Sequence, residues 1–248
     1  LSHVVSVVEK EAIPEEPIII AGLPDIGLVG VIAAVHIASS LNMKDVGSVE
    51  SDLLPPLVVL YNGLPKPPVR ILSSGKLVVI LSETAIPASA VYKVAHAIVQ
   101  WALEKKAKLL VSIGGVAVED RHSIDKPKVF ASASDEATLD TVKGKGVEPL
   151  DKGYIVGPYA LILRYSAMQN IPAISLLAEA FFNYPDPEAA ASAITELNKI
   201  LDLNVDVSKL REKGEEIRLA SKDIMRRTQL EMAKMRKSQE YDVPPLHV

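Results

Sequence analysis

The chain has 248 residues and a formal net charge of −4 from 27 basic and 31 acidic residues; 48% of it is hydrophobic but only 4% aromatic, and it has no cysteine. That composition excludes disulfides, thiolate metal sites and a cysteine nucleophile, and it gives no overall attraction to nucleic acid or to an anionic membrane. The core must be filled by Val, Ile, Leu and Ala, which points to one large α/β domain, or one domain with an appendage, in which helices cover a sheet.

The first residues, LSHVVSVVEKEAIPEEP, alternate and carry acids, unlike an export signal, and no apolar run approaches the roughly 18–20 residues of a membrane span. The expectation is a soluble, cytoplasmic protein. HVVSVVE reads as a strand, and PIIIAG as a second one that runs into GLPDIGLVG. A strand, a glycine turn and an apolar helix is the arrangement that cradles phosphate. The dinucleotide fingerprint, however, needs glycine where Asp25 stands ahead of Gly27 and Gly30, and the Walker spacing from Gly22 to Gly27 is followed by Leu28 and Val29 in place of Lys and Ser/Thr. The turn is therefore read as architectural: Gly22 and Pro24 make the tight bend, Asp25 caps a helix from Ile26 to Leu41, and Gly27 and Gly30 let it lie close to a sheet. No nucleotide or other cofactor is expected.

Further strands are read at DVGSVES, PLVVLY, PVRILS, KLVVILS, KLLVSIGG, KVFASAS and PAISLLAEA, with a hairpin at Ser74 and Gly75, so the sheet is mixed, mainly parallel, and flanked by helices. Helices are expected from Ala88 to Lys106, from Pro158 to Asn170 and from Pro187 to Leu201, the last capped by Asp186. From Ser208 to about Lys237 the pattern becomes a charged helix with Leu210, Ile217 and Ile224 at seven-residue spacing, broken at Gly214. Such a stripe needs a partner surface, either the core or another subunit; a homo-oligomer contact through these three residues is expected. The organisation is an α/β core over 1–206, a helical extension over 207–240 and an extended, mobile tail over 241–248, since Pro244 and Pro245 cannot continue a helix.

The strongest catalytic and metal signatures are absent, and neither a catalytic set nor a metal site is assigned. Ser73 and Lys76 match SxxK only by letter, in a hairpin turn. VEDRHSID offers Glu119, Asp120, His122 and Asp125 as oxygen and imidazole ligands for a divalent metal, and a solvated loop explains the same residues. Glu83 and Glu179 follow or end strands and face one edge of the sheet, where α/β proteins bind ligands; helix capping or subunit contact is the alternative. His36 and His96 lie on apolar helix faces as packed or interfacial side chains.

GLPDIGLVG, SETAIPASAVY, VSIGGVAV and YPDPEAAA, in that order, closely resemble the archaeal homologues of the proteasome assembly chaperones over roughly residues 15 to 220. The resemblance implies a nucleoside-phosphorylase-like α/β core with a helical C-terminal region and binding of proteasome α subunits or the 20S α ring without catalysis. It also makes a second homologous chaperone a candidate partner. Proteasome activators of this kind end in a hydrophobic residue, a tyrosine and any residue. Here the chain ends Leu246, His247, Val248, so the resemblance implies docking through Leu246 and the terminal carboxylate, with gate opening weakened by His247. The alternatives are a hydrolase or phosphorylase-like enzyme using Glu83, Glu179 and the VEDRH loop, or a scaffold for another assembly factor.

Overall fold

The structure is a computed structural model that describes residues 4–235; Leu246, His247 and Val248 lie outside the described residues. Its centre is a nine-stranded sheet made, in chain order, of β1 (Val5–Glu9), β2 (Ile18–Gly22), β3 (Lys44–Ser51), β6 (Val69–Ser74), β7 (Leu77–Ser82), β8 (Leu109–Ala117), β9 (Val129–Ala133), β10 (Glu148–Pro149) and β11 (Ala173–Ala180). Across the sheet the order is β1-β3-β6-β7-β2-β8-β11-β9-β10. The central strands β7, β2, β8 and β11 are parallel, and antiparallel strands flank them, which is the mixed α/β sheet expected.

Strand alternation splits the core in two. Ile20, Val79, Leu81, Val111, Ile113 and Leu176 face one layer, which holds α1 (Val29–Ser40) and α5 (Pro187–Leu201). Ile19, Ala21, Val78, Ile80, Leu110 and Leu177 face the other, which holds α2 (Val91–Glu104) and α4 (Pro158–Met168). Period-2 side-chain direction in a doubly covered sheet produces this split, and it explains why these strands read as continuous Val/Ile/Leu runs. Asp186 caps α5 by accepting from Ala189 N at 3.0 Å, with Pro187 in the first turn, and Pro158 opens α4 after Gly157.

Several places depart from the sequence reading. The helix expected from Ile26 begins at Val29: Ile26–Leu28 is a 3-10 turn, with Gly27 and Leu28 both at positive φ (61° and 50°). PLVVLY does not join the sheet; β4 (Val59–Tyr61) pairs with β5 (Leu64–Lys66) in a separate hairpin turned by Asn62 and Gly63, at φ 51° and 78°. The prolines at 55, 56, 65, 67 and 68 cannot donate to a ladder, so this segment cannot be a central strand, and Asn-Gly is the favoured two-residue turn. Finally, α3 (Glu136–Gly144) was not expected, because only Val142 of it is buried and its apolar period is too sparse to read, although Asp135 caps it through Thr138 N at 2.8 Å.

The helical extension divides at Lys213 into α6 (Ser208–Glu212) and α7 (Gly214–Lys234). Both pack on the α1/α5 layer: Leu210, Met225 and Met232 are buried in that cluster, and Ile217 and Ile224 are half-buried against it. The stripe thus packs on its own chain's core, one of the two surfaces expected for it, with Ile217 and Ile224 left half-exposed.

Candidate functional site

Open α/β sheets hold ligands outside the carboxyl ends of the strands, where the strand order reverses. Here that position is the end of β2, which lies between β7 and β8. The chain's own turn fills it, and every residue from Leu23 to Val29 is buried. A Cβ on Gly22 would come 2.3 Å from Gly30 O, and one on Gly30 would come 2.2 Å from Ile113 O. These glycines let α1 lie directly on β8. Asp25 does not cap this helix: its side chain makes no capping hydrogen bond and is 1% exposed, because the α-helix starts only at Val29, after Leu28 has taken a left-handed conformation.

Two of the segment words identified in the sequence, GLPDIGLVG and YPDPEAAA, meet at Asp186. Its N–H donates to Gly27 O at 2.8 Å, and its carboxylate accepts from Ala189 N and Phe181 N. The same carboxylate takes both arms of Arg121, Nε at 2.8 Å and Nη2 at 3.0 Å. Arg121 and Asp186 side chains are 5% and 0% exposed, and the guanidinium also lies over the Phe181 ring at 5.0 Å. A bidentate pair with backbone donors on the same carboxylate is the geometry in which a buried ion pair is tolerated. Helix α7 then closes this end. Glu231 accepts from Ala88 N at 2.8 Å, Gln229 donates to Asn183 O at 2.9 Å and Arg218 to Pro185 O at 3.3 Å.

The candidate chemical residues do not converge. Glu83 is taken by Arg70, whose Nε and Nη2 donate at 3.0 and 2.8 Å, and by the Tyr61 hydroxyl. Glu179 accepts from Lys128 N at 2.9 Å and so braces the start of β9. Their strands, β7 and β11, are separated by β2 and β8, which at about 4.8 Å per strand sets them roughly 14 Å apart. Glu119, Asp120, His122 and Asp125 are all exposed, and among the described residues no three His, Asp or Glu side chains are grouped to hold a metal ion. The residue in that loop with a structural role is Arg121, which sequence reading passed over because an ion pair 65 residues apart leaves no local pattern. His36 Nε2 donates to Asp206 O at 2.6 Å, and His96 stacks edge-on with Tyr165.

Apolar side chains are exposed elsewhere in the chain. The β4–β5 hairpin and the residue before it expose Val58 (61%), Leu60 (66%) and Leu64 (64%), yet the turn end is held through Tyr61 by Arg70 and Glu83. Burial and then the hydrogen bond and charge of Glu83 push the Tyr61 hydroxyl up to about 12, against the opposing charge of Arg70. The edge strand β1 is tied to α2 through Glu9. Glu9 there accepts from Trp101 Nε1 and Lys105 Nζ at 2.8 and 2.9 Å; burial alone would raise its pKa, and these bonds, with one from Ile13 N, hold it below the ordinary value.

Among known proteins, the chain matches the PAC2 family over residues 19–225. An uncharacterized protein of Methanocaldococcus jannaschii is 34% identical over 231 residues, covering 93% of this chain and 94% of that one. The crystal structure of Pyrococcus furiosus PbaA, an archaeal homolog of proteasome-assembly chaperone, is similar with a TM-score of 0.86 at 29% identity, over 91% of this chain and 98% of that chain. That of Pyrococcus furiosus PbaB, an archaeal proteasome activator, is similar with a TM-score of 0.75 at 25% identity, over 89% and 98%.

Proposed function

Because the chain belongs to the PAC2 family, we propose that it is a proteasome assembly chaperone that binds proteasome α subunits, as a homo-oligomer, and performs no catalysis. The observation that carries the reading is the similarity to PbaA over nearly the whole of both chains. The non-catalytic part is supported by the carboxyl end of the sheet, where the chain's own turn and α7 occupy the ligand position and the acidic candidates serve as braces. A fold shared with enzymes does not carry their activity.

Contact with the 20S α ring is assigned to the chain end, Leu246, His247 and Val248. Pro244 and Pro245 restrict the peptide and reduce the entropy lost on docking. One such end buries little area, so several ends on one oligomer are needed for useful affinity through effective concentration. His247 in place of tyrosine favours docking over gate opening. The test is co-sedimentation of the full chain with purified α rings, compared with a chain lacking 246–248. Loss of binding with an unchanged melting temperature is expected. Undiminished binding by the truncated chain removes the tail from the reading and places the contact on the α/β body; failure of the full chain to bind α rings removes the proposal.

A further inference from the structure

Strand β1 is the last strand on its side of the sheet, pairing with β3 and with no other strand among the described residues. Every second residue of an antiparallel edge strand points its N–H and C=O away from the sheet, an invitation to a further strand. Natural edges are usually blunted by lysine, proline or a bulge. From Val4 to Val8 there is no charge and no proline, and the register with β3 runs without a shift from Val5 to Glu9. Val4 is 64% exposed and Val8 42%. The strand and α2 leave between them a cleft of about 730 Å³ bordered by Val5, Val7, Tyr92, His96, Gln100 and Trp101.

The edge itself says what fits it. Val4-Val5-Ser6-Val7-Val8 reads the same in both directions. Two copies paired antiparallel about a two-fold axis at Ser6 therefore set Val4 against Val8 of the partner subunit, Val5 against Val7 of the partner subunit, and Ser6 against its own copy. Every cross-strand pair outside the axis is β-branched on β-branched, and no like charges are opposed. This is the self-complementarity that an isologous contact requires. A five-residue ladder alone buries less than the roughly 1,200 Å² of a stable interface. The same axis, perpendicular to the sheet, brings the two α2 helices to one face of the joined sheets, where each covers the cleft and the exposed Tyr92 of the other.

We propose that two copies of this chain join edge to edge through β1, in antiparallel register centred on Ser6, with their α2 helices closing the cleft; this rests on the homo-oligomer reading above and names its contact. The chain has no cysteine, so one introduced at the axis reports only on that contact. In the proposed register the two Ser6 Cα atoms are about 4.5–5.5 Å apart, within disulfide reach. Ser6→Cys is expected to convert most of the protein to a covalent dimer under mild oxidation. Val8→Cys alone, about 13 Å from its own copy, is expected to stay single, and mixing it with Val4→Cys to restore the link. Val5→Lys with Val7→Lys is expected to lower the mass seen by light scattering while the circular dichroism spectrum stays unchanged. Linkage of Ser6→Cys no faster than of Val8→Cys, in a protein that light scattering still shows to be an oligomer, overturns the β1 contact and leaves the homo-oligomer standing. A monomer mass for the unaltered chain overturns both.

Discussion

At the carboxyl end of β2 the residues from Leu23 to Val29 are all buried, with a charged pair and a helix closing over them, whereas the β4–β5 hairpin and the residue before it leave Val58, Leu60 and Leu64 more than 60% exposed. The first region is where an α/β enzyme keeps its substrate, and here it is spent on holding the chain together. The second keeps apolar side chains in water on a hairpin whose turn end is held by the hydrogen bonds of Tyr61 with Glu83 and Arg70. The contrast is between an end of the sheet given over to holding the chain together and a hairpin that keeps apolar side chains in water.

The largest effect is expected where the contrast is strongest, in the turn. Gly30→Val places a side chain 2.2 Å from the carbonyl of Ile113, a backbone atom that cannot swing away. α1 is then forced off β8, at a cost above about 4 kcal/mol, and cooperative thermal unfolding should be lost. A cooperative melt near that of the unaltered chain would show that the turn is not tightly packed.

Asp186→Ala comes next, since it leaves Arg121 charged and 5% exposed with no carboxylate and also removes the α5 cap. Urea unfolding should lose about 3–5 kcal/mol. Combining Arg121→Met with Asp186→Asn, which retains a capping oxygen, should recover a large part of that. If the double variant is no more stable than Asp186→Ala, the penalty is not one of unpaired charge.

Tyr61→Phe should cost about 1 kcal/mol, the ordinary net worth of a hydrogen bond. Its pH dependence has a definite sign. The folded value of about 12 lies above the ordinary 10, so the folded state holds the proton more tightly. The contribution is complete below pH 10 and lost as pH rises through about 12. Tyrosinate absorbance should therefore show a late component that Tyr61→Phe removes; an unchanged titration curve would place the hydroxyl in water.

The smallest effect on stability is expected from replacing Val58, Leu60 and Leu64 together by serine, within about 0.5 kcal/mol per residue because none is packed. A calorimetric melting temperature that falls by many degrees would mean that the hairpin is covered in solution, and would narrow the contrast between the two regions.

The sequence by itself determined the elements whose signals are local. Runs of β-branched residues between Pro and Gly marked the sheet strands, Asp186 and Pro187 marked the start of α5, and Gly214 marked the break between α6 and α7. It also carried the four segment words that placed the chain beside the proteasome chaperones. Some local signals went unused, such as Asn62-Gly63, which turns PLVVLY into a hairpin, and Asp135, which caps a helix with a single buried residue. Only the tertiary structure decided the rest. That Arg121 meets Asp186, that Glu83 belongs to Arg70 and Tyr61, and that Leu210, Ile217 and Ile224 lie against their own core all depend on distant segments arriving at one place. Periodicity says that a helix has an apolar face; it does not say what covers it, because that is fixed by the path of the whole chain and not by any window of it.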